Sequence, residues 1–208
     1  MKRQEIVDTL KEEIANGGFR PGQRLVETQL SERFALTRNK VREVLRRLET
    51  EGFVKVIPNV GAVVSELSQK DIEHSYDLMA VLEGLSVREA TSFITSQHLE
   101  SLQLVIEQME TIDDPLLFYK LNDEFHALLA RLSENERLIR LADNLRIHIR
   151  RFGTQAFYNP AQRAASRKAH GKIFETIKEA KPAKAEQLVR DHYLQTKNCH
   201  IRAVHKSL

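Results

Sequence analysis

Apolar residues recur every three or four positions along most of this chain of 208 residues, which predicts a mainly helical protein. The first helical segments cover residues 2–16, 28–34 and the stretch between Thr37 and Gly52. Two β-rich runs follow, residues 53–57 and 62–64, separated by a Pro-Asn-Val-Gly turn typical of a hairpin. Three helices and a hairpin predict a winged helix-turn-helix.

Strand signals are absent from the sequence beyond Ser68. Helical patterns there cover residues 69–93, 97–112, 115–132, 136–157, 160–180 and 183–203. The short breaks between them are rich in Asp, Asn and Pro, which end helices, and short connections favour antiparallel neighbours. The expected fold class is therefore mainly α, with a winged helix-turn-helix domain at residues 1–67 and an all-α bundle of about six helices at residues 68–208.

The charge of the chain is unevenly distributed. Residues 1–65 contain 12 Lys/Arg and 9 Asp/Glu, whereas residues 66–208 contain 20 of each, so the net charge of +3 belongs to the first third. Five of these cations lie between Leu36 and Arg47, where Glu43 is the one acid. Such clustering is expected of a phosphate-binding surface, although a solvated helix face can also produce it.

Other features of the composition exclude several classes of protein. Acidic residues among the first apolar positions argue against a signal peptide, and no apolar run is long enough to span a bilayer. The one cysteine, Cys199, cannot form an intramolecular disulfide and fits a reducing compartment. We therefore expect a cytoplasmic protein without a membrane segment.

The basic segment after the second helix has the residue types that a DNA-reading helix needs. Thr37 is a good N-cap, and a helix N-terminus presents free backbone N–H groups that suit a phosphate. Arg38 and Arg42, four residues apart, have planar guanidinium groups that match guanine or phosphate bidentately. Gly61 in the hairpin would let the backbone approach a minor groove. A charged helix on the surface of a small α/β module is the alternative interpretation.

This region resembles the GntR family of bacterial transcription regulators. The similarity covers residues 14–27, 30–34, 37–45 and 48–53, which follow the family patterns PGxxLxE, SRxPVREAL and LxxEGL. The resemblance implies that Thr37, Arg38 and Arg42 contact operator DNA, with Gly61 as the wing glycine. It also implies a homodimer on a palindromic operator in double-stranded DNA.

Three positions depart from the family pattern. Thr37 replaces the usual serine and keeps the hydroxyl, whereas Asn39 and Lys40 replace threonine and proline. Because Lys40 adds a donor where the family has none, we include Asn39 and Lys40 among the DNA-binding candidates and expect an altered base preference. Thr28 stands where some members place an arginine on DNA, so that contact is not expected here.

Histidines provide the candidate chemistry of the helical region. Asn122 and His126 are four residues apart and project from one helix face, while His170 and His192 fall in the last two helices. Three imidazoles and one oxygen from three helices could hold a divalent cation with open positions. Spacing alone leaves open that these histidines are exposed or simply hydrogen-bonded.

The helical region is similar to the FCD effector-binding domain of the FadR subfamily. The resemblance rests on residues 121–129 and 133–138 and on the two later histidines. It implies a divalent metal ion, Zn²⁺ or Ni²⁺, held by Asn122, His126, His170 and His192, and a small carboxylate effector that completes the coordination.

Two features of this chain depart from that pattern. Asn122 supplies a neutral amide where an aspartate is common, which should weaken metal binding, and Asp123 lies about 100° further round the helix. Met79 occupies a position where relatives often use an arginine to hold an acidic effector, and the sequence does not indicate whether Arg146, Arg150 or Arg151 replaces it.

The remaining histidines are given simpler roles. His148 is a further candidate for the cavity that would hold the effector, and His74, His98, His200 and His205 are predicted to lie on the surface.

The expected protein is a transcription regulator controlled by a metabolite. The alternatives are a metal-dependent enzyme, since a metal with open positions can activate water, and a DNA-binding protein without an effector.

Overall fold

The computed structural model describes residues 3–205, apart from the side chains of residues 154, 155 and 203–205. These residues form two compact units, the first ending at Ser68 and the second beginning at Gln69. No helix in the described part of the chain is both long and apolar enough to cross a membrane.

The first unit combines three helices with a small antiparallel sheet. Its elements are α1 (Arg3–Ala15), β1 (Arg24–Leu25), α2 (Glu27–Phe34), α3 (Arg38–Thr50), β2 (Val54–Ile57) and β3 (Gly61–Val64). Strand β3 lies between β1 and β2 and pairs with both. The predicted winged helix-turn-helix is confirmed, and its sheet has a third strand at Arg24–Leu25 in addition to the two strands of the hairpin.

Helices α1 and α3 pack around the core of this unit. Leu10, Leu48 and Phe53 are completely buried there. Lys11 is 5% exposed, and its ammonium forms an ion pair with Glu51 at the end of α3. Glu51 also accepts a hydrogen bond from Arg47 Nε at 2.5 Å. This buried pair fixes α1 against the C-terminal end of α3 and so helps to orient α3.

The second unit contains only helices among its described residues. They are α4 (Gln69–Ser92), α5 (Ser96–Thr111), α6 (Pro115–Leu132), α7 (Glu136–Phe157), α8 (Pro160–Lys178) and α9 (Pro182–His205). Asp114 and Asn159 cap α6 and α8 through their side chains, each followed by a proline at the first helical position. The predicted six-helix bundle is confirmed, with α4 packed most extensively against α9.

Candidate functional site

Helix α3 separates its basic residues from its apolar ones. Val41, Val44, Leu45 and Leu48 are buried in the first unit. The basic side chains at 38, 40, 42 and 46, together with Asn39, are all exposed. Because this face is not used for packing, its side chains are available to a ligand such as DNA.

The N-terminus of α3 is also accessible. Thr37 occupies the cap position with extended backbone, but its hydroxyl makes no capping hydrogen bond and its side chain is exposed. An anion at this end would meet a hydroxyl, free backbone N–H groups and the positive end of the helix dipole.

The wing differs slightly from the sequence-based picture. Gly61 is the first residue of β3, paired with Ile57, and the tip itself consists of residues 58–60. The φ angle of Gly61 is +99°, a conformation that residues with a Cβ rarely adopt. The Arg24 guanidinium lies beside it, since a Cβ at position 61 would be 3.8 Å from Arg24 Nε. Arg24 could not be identified from the sequence as a cation of the wing, because a strand of two residues has almost no recognisable pattern.

In the second unit the structure brings three of the predicted histidines together. His126, His170 and His192 come from α6, α8 and α9, and one ring nitrogen of each lies within 4.8 Å of the other two. The Nε2 atoms of His126 and His170 are 3.2 Å apart. All three side chains are buried, with at most 5% exposed.

Burial disfavours the protonated form of two of these imidazoles, those of His170 and His192. Desolvation, together with the neighbouring His192 and His126, holds the pKa of His170 well below its usual range. Burial and the neighbouring His126 lower the pKa of His192 to about 3. At neutral pH the rings of His170 and His192 are therefore neutral, and each keeps one nitrogen lone pair that could bind a metal ion.

Asn122 lies one turn before His126 and lines a cavity next to the cluster. Its side-chain oxygen is 3.4 Å from Ser166 Oγ. His192 and Met79 also line the cavity. Its water-accessible volume is about 30 Å³. That is space for about two waters.

A buried network of charges supports the cluster, and its pairings could not be predicted from the sequence. Glu83 is completely buried, with Oε2 at 3.4 Å from His126 Nδ1 and Oε1 bonded to Arg146. Arg146 Nε is also 3.5 Å from Asp123, which receives Arg150 Nη2 at 2.9 Å. Burial raises the pKa of the Glu83 carboxyl, but Arg146 and then His126 outweigh it and the net pKa is lowered. A carboxylate on Nδ1 would orient His126 with Nε2 towards its partners.

This network determines what two candidate residues do. Arg146 lines the cavity, which the sequence alone did not establish. Its charge is already balanced by Glu83 and Asp123. Asp123 is paired with arginines instead of joining the histidines. His148 does not line the cavity.

The prediction for His200 was wrong. It is completely buried on α9, with ring centroids 6.1 Å from Tyr76 and 5.0 Å from Phe152. Neither ring nitrogen has a hydrogen-bond partner among the described residues. The apolar stripe of α9 did not reveal this because a histidine in a helix is more often exposed. Of the others predicted at the surface, His74 is exposed, His98 is half-buried in the cap of α5, and the side chain of His205 lies outside the described residues.

We expect His200→Leu to make the protein less sensitive to acid. Burial lowers the pKa of His200 to about 4, below the usual 6.5. Between these values the unfolded chain binds more protons than the folded one, so stability is lost as pH falls through this window. From pH 7 to pH 5 this residue should account for about 2 kcal/mol of lost stability. Urea unfolding of metal-free wild type and variant at both pH values measures it, and an equal loss in both proteins would contradict the prediction.

Comparison with known proteins agrees with this architecture. Residues 2–64 match the family described as bacterial regulatory proteins, gntR family, and residues 74–195 match the FCD domain. The chain is 31% identical to the uncharacterized HTH-type transcriptional regulator YdhC of Bacillus subtilis, over 91% of this chain and 86% of that protein. It is 25% identical to the HTH-type transcriptional repressor RspR of Escherichia coli, over 91% and 84%.

Solved structures share the fold. The E. coli protein McbR/YncC aligns with a TM-score of 0.76 and 21% identity, over 93% of each chain. A putative transcriptional regulator GntR from Rhodococcus sp. RHA1 aligns with a TM-score of 0.76 and 20% identity, over 97% of this chain and 98% of that one. The matched families and relatives are transcriptional regulators and not enzymes, which removes the metal-dependent enzyme from the alternatives. This chain belongs to the GntR family of transcriptional regulators, with a gntR-type DNA-binding domain followed by an FCD domain.

Proposed function

We propose that this regulator binds a palindromic operator in double-stranded DNA as a homodimer, and that a small effector bound at a metal site in the FCD domain controls this binding. The observation that carries the proposal is the convergence of three buried histidines from three helices beside a cavity whose lining includes Asn122, Asp123 and Arg146. A DNA-binding protein without an effector would have no need for a cavity in its bundle that is lined by charged and amide side chains.

The histidine cluster fits a divalent ion. Ligand nitrogens about 2.0–2.1 Å from one zinc lie roughly 3.3 Å apart in tetrahedral geometry, and the His126–His170 separation of 3.2 Å is already close to this. The ligand atoms of the three histidines all lie within 4.8 Å of one another, so a bound ion would require the rings to move closer together. His126, His170 and His192 would supply nitrogen, and Asn122 would supply an amide oxygen. Such ligands suit Zn²⁺ or Ni²⁺.

The charges around this site favour a small anionic effector. As ligands, three imidazoles and an amide would bring no negative charge, so a bound ion would keep its full positive charge. Met79 is apolar and Arg146 is committed to Glu83 and Asp123. A carboxylate effector would therefore be held mainly by the ion, and the cavity of about 30 Å³ limits its size unless side chains move.

The outer face of α4 supports a homodimer. Leu78, Val81 and Leu85 recur at helical spacing and are 58%, 48% and 37% exposed. Leu141 on α7, which packs against α4, adds a further exposed apolar side chain. Exposed apolar side chains that follow one helix face mark an interaction site, and a second copy of the chain would cover them.

In the DNA-binding domain we assign contacts to Thr37, Arg38, Asn39, Lys40 and Arg42 at α3 and to Gly61 in the wing. All but Gly61 are exposed on one side of α3 or at its N-terminus. Two such domains in a dimer would read two half-sites, which gives a palindrome. An effector changes operator affinity only to the extent that it prefers one arrangement of the dimer.

Selection from a pool of random duplex DNA tests the proposal. The purified protein should enrich a palindromic sequence, and its affinity for the enriched duplex should change when the protein is treated with a chelator. Enrichment of no sequence would contradict DNA recognition. Enrichment with an affinity that is unaffected by chelation would contradict metal-dependent control.

A further inference from the structure

We infer that Glu27 is a positioning residue for Arg42. Glu27 orients the Arg42 guanidinium for contacts with base edges, and it balances the charge with which Arg42 would otherwise attract phosphates. The inference rests on the proposed binding of double-stranded DNA. Glu27 is the first residue of α2, and Arg42 lies one turn into α3. Their contact therefore joins the two helices of the helix-turn-helix on its exposed side.

The contact leaves the outer end of the guanidinium available. Arg42 Nε donates to both carboxylate oxygens of Glu27, at 3.1 Å from Oε1 and 2.9 Å from Oε2. The two terminal amino groups of Arg42 have no hydrogen-bond partner among the described residues. These are the donors that can bind guanine O6 and N7 end-on. The Arg42 side chain is 59% exposed, so a ligand can reach it.

Other cations on this surface are arranged differently. Arg38, Lys40 and Arg46 are exposed and form no ion pair in the part of the chain that the structure describes. Long unpaired cations suit phosphates, because they release counterions and tolerate variable geometry. Arg42 has its charge balanced and its plane held by a carboxylate, which suits a contact that depends on geometry.

A carboxylate on a DNA-binding surface has an electrostatic consequence. It repels every duplex to a similar degree, whatever the sequence, because phosphates occur throughout DNA. By orienting Arg42 it strengthens binding only where the matching base pair is present. Glu27 should therefore raise the ratio of specific to non-specific affinity while lowering non-specific affinity.

Helix α2 keeps the carboxylate in place. As the first residue of that helix, Glu27 is stabilised by the positive end of the helix dipole. Its side chain is only 33% exposed, less than that of its partner. The acid is therefore the fixed member of the pair, and the arginine is oriented by it.

The test compares Glu27→Gln with Glu43→Gln, which removes the same charge from the same domain. Glu43 lies on α3 but pairs with Arg3 at 2.9 Å and does not contact Arg42. Wild type, both glutamine variants and Arg42→Ala are used to select sequences from random duplex DNA. Affinities for the wild-type selected duplex and for a scrambled duplex are then measured across a range of salt concentrations, after thermal unfolding has shown that each variant folds.

We expect Glu27→Gln to bind scrambled DNA more tightly and to lose roughly 5- to 100-fold in its preference for the selected duplex. The base pair that it ceases to select should be the one that Arg42→Ala ceases to select. Glu43→Gln should tighten binding to both duplexes equally. Arg42→Ala should leave the salt dependence nearly unchanged, because its charge is already balanced.

Three outcomes would overturn the inference. Glu27→Gln could behave like Glu43→Gln, it could lose selection at a different base pair from Arg42→Ala, or Arg42→Ala could reduce the salt slope by about one, as expected for a phosphate contact. If wild type itself selects no sequence, the proposed DNA recognition fails first, and the inference falls with it.

Discussion

Protein purified without an affinity tag should contain about one divalent ion per chain, and His126→Ala should contain almost none. His126 is the central member of the cluster, with its Nε2 3.2 Å from that of His170 and its ring stacked on His192. Removal of one of three nitrogen ligands leaves too few protein ligands to hold the ion tightly. The ion must then rely on the neutral Asn122 oxygen and water.

His170→Ala should have the same effect, because each histidine contributes one ligand atom to the cluster. The matched control is His200→Ala. This histidine is as deeply buried and lies on the same helix as His192, but it packs against Tyr76 and Phe152 outside the cluster. The measurement is elemental analysis of the purified proteins after exhaustive dialysis.

Equal metal content in wild type, His126→Ala and His170→Ala would rule out the site. Loss of metal in His200→Ala to the same extent would show that the effect comes from general disruption of the bundle. Loss in the first two variants alone would support a site formed by the cluster. The same proteins can then be tested for chelator-sensitive DNA binding, which separates the metal from its regulatory role.

The helices of the second unit could be predicted closely because they depend on local signals. Asp114-Pro115 and Asn159-Pro160 stop one helix and cap the next, and both breaks occur where the sequence predicted them. The convergence of His126, His170 and His192 could be expected only through family resemblance, since spacing along separate helices does not define how they pack.

Interactions between distant residues could not be predicted. Glu83 and Arg146 are 63 positions apart, and nothing in either local sequence identifies the other as its partner. His200 was misplaced for the opposite reason, because its residue type suggested exposure while its position on α9 faces the core. In both cases tertiary packing determines the environment, and helical periodicity does not report it.

The same limit applies to the DNA-binding domain. The basic face of α3 follows from periodicity, so Arg38 and Arg42 appeared equivalent in the sequence. The structure distinguishes them, because Arg42 is paired with Glu27 and Arg38 has no acidic partner among the described residues. Two arginines on the same face of a helix can therefore have different roles in DNA binding.

Arg38→Ala should weaken binding to the selected duplex by roughly 10- to 100-fold and should reduce the salt slope by about one. The side chain is exposed at the first position of α3, where the helix dipole and the free N–H groups also attract a phosphate. Without a partner on the protein, its full charge is available to DNA. Binding to scrambled DNA should weaken by a similar factor, since a phosphate contact carries no sequence information.

Arg33→Ala is the matched control, because it removes one positive charge from the neighbouring helix α2. Arg33 is tied to Glu13 of α1, with Nη1 at 2.8 Å from Oε2, so its charge is already balanced within the protein. We expect its loss to change DNA affinity by less than about threefold. If both variants weaken binding equally, net charge alone determines affinity and the assignment of α3 as the DNA-contacting helix is wrong. If only Arg38→Ala weakens it, the effect belongs to the N-terminus of α3, where Thr37 and the backbone N–H groups would share the same phosphate.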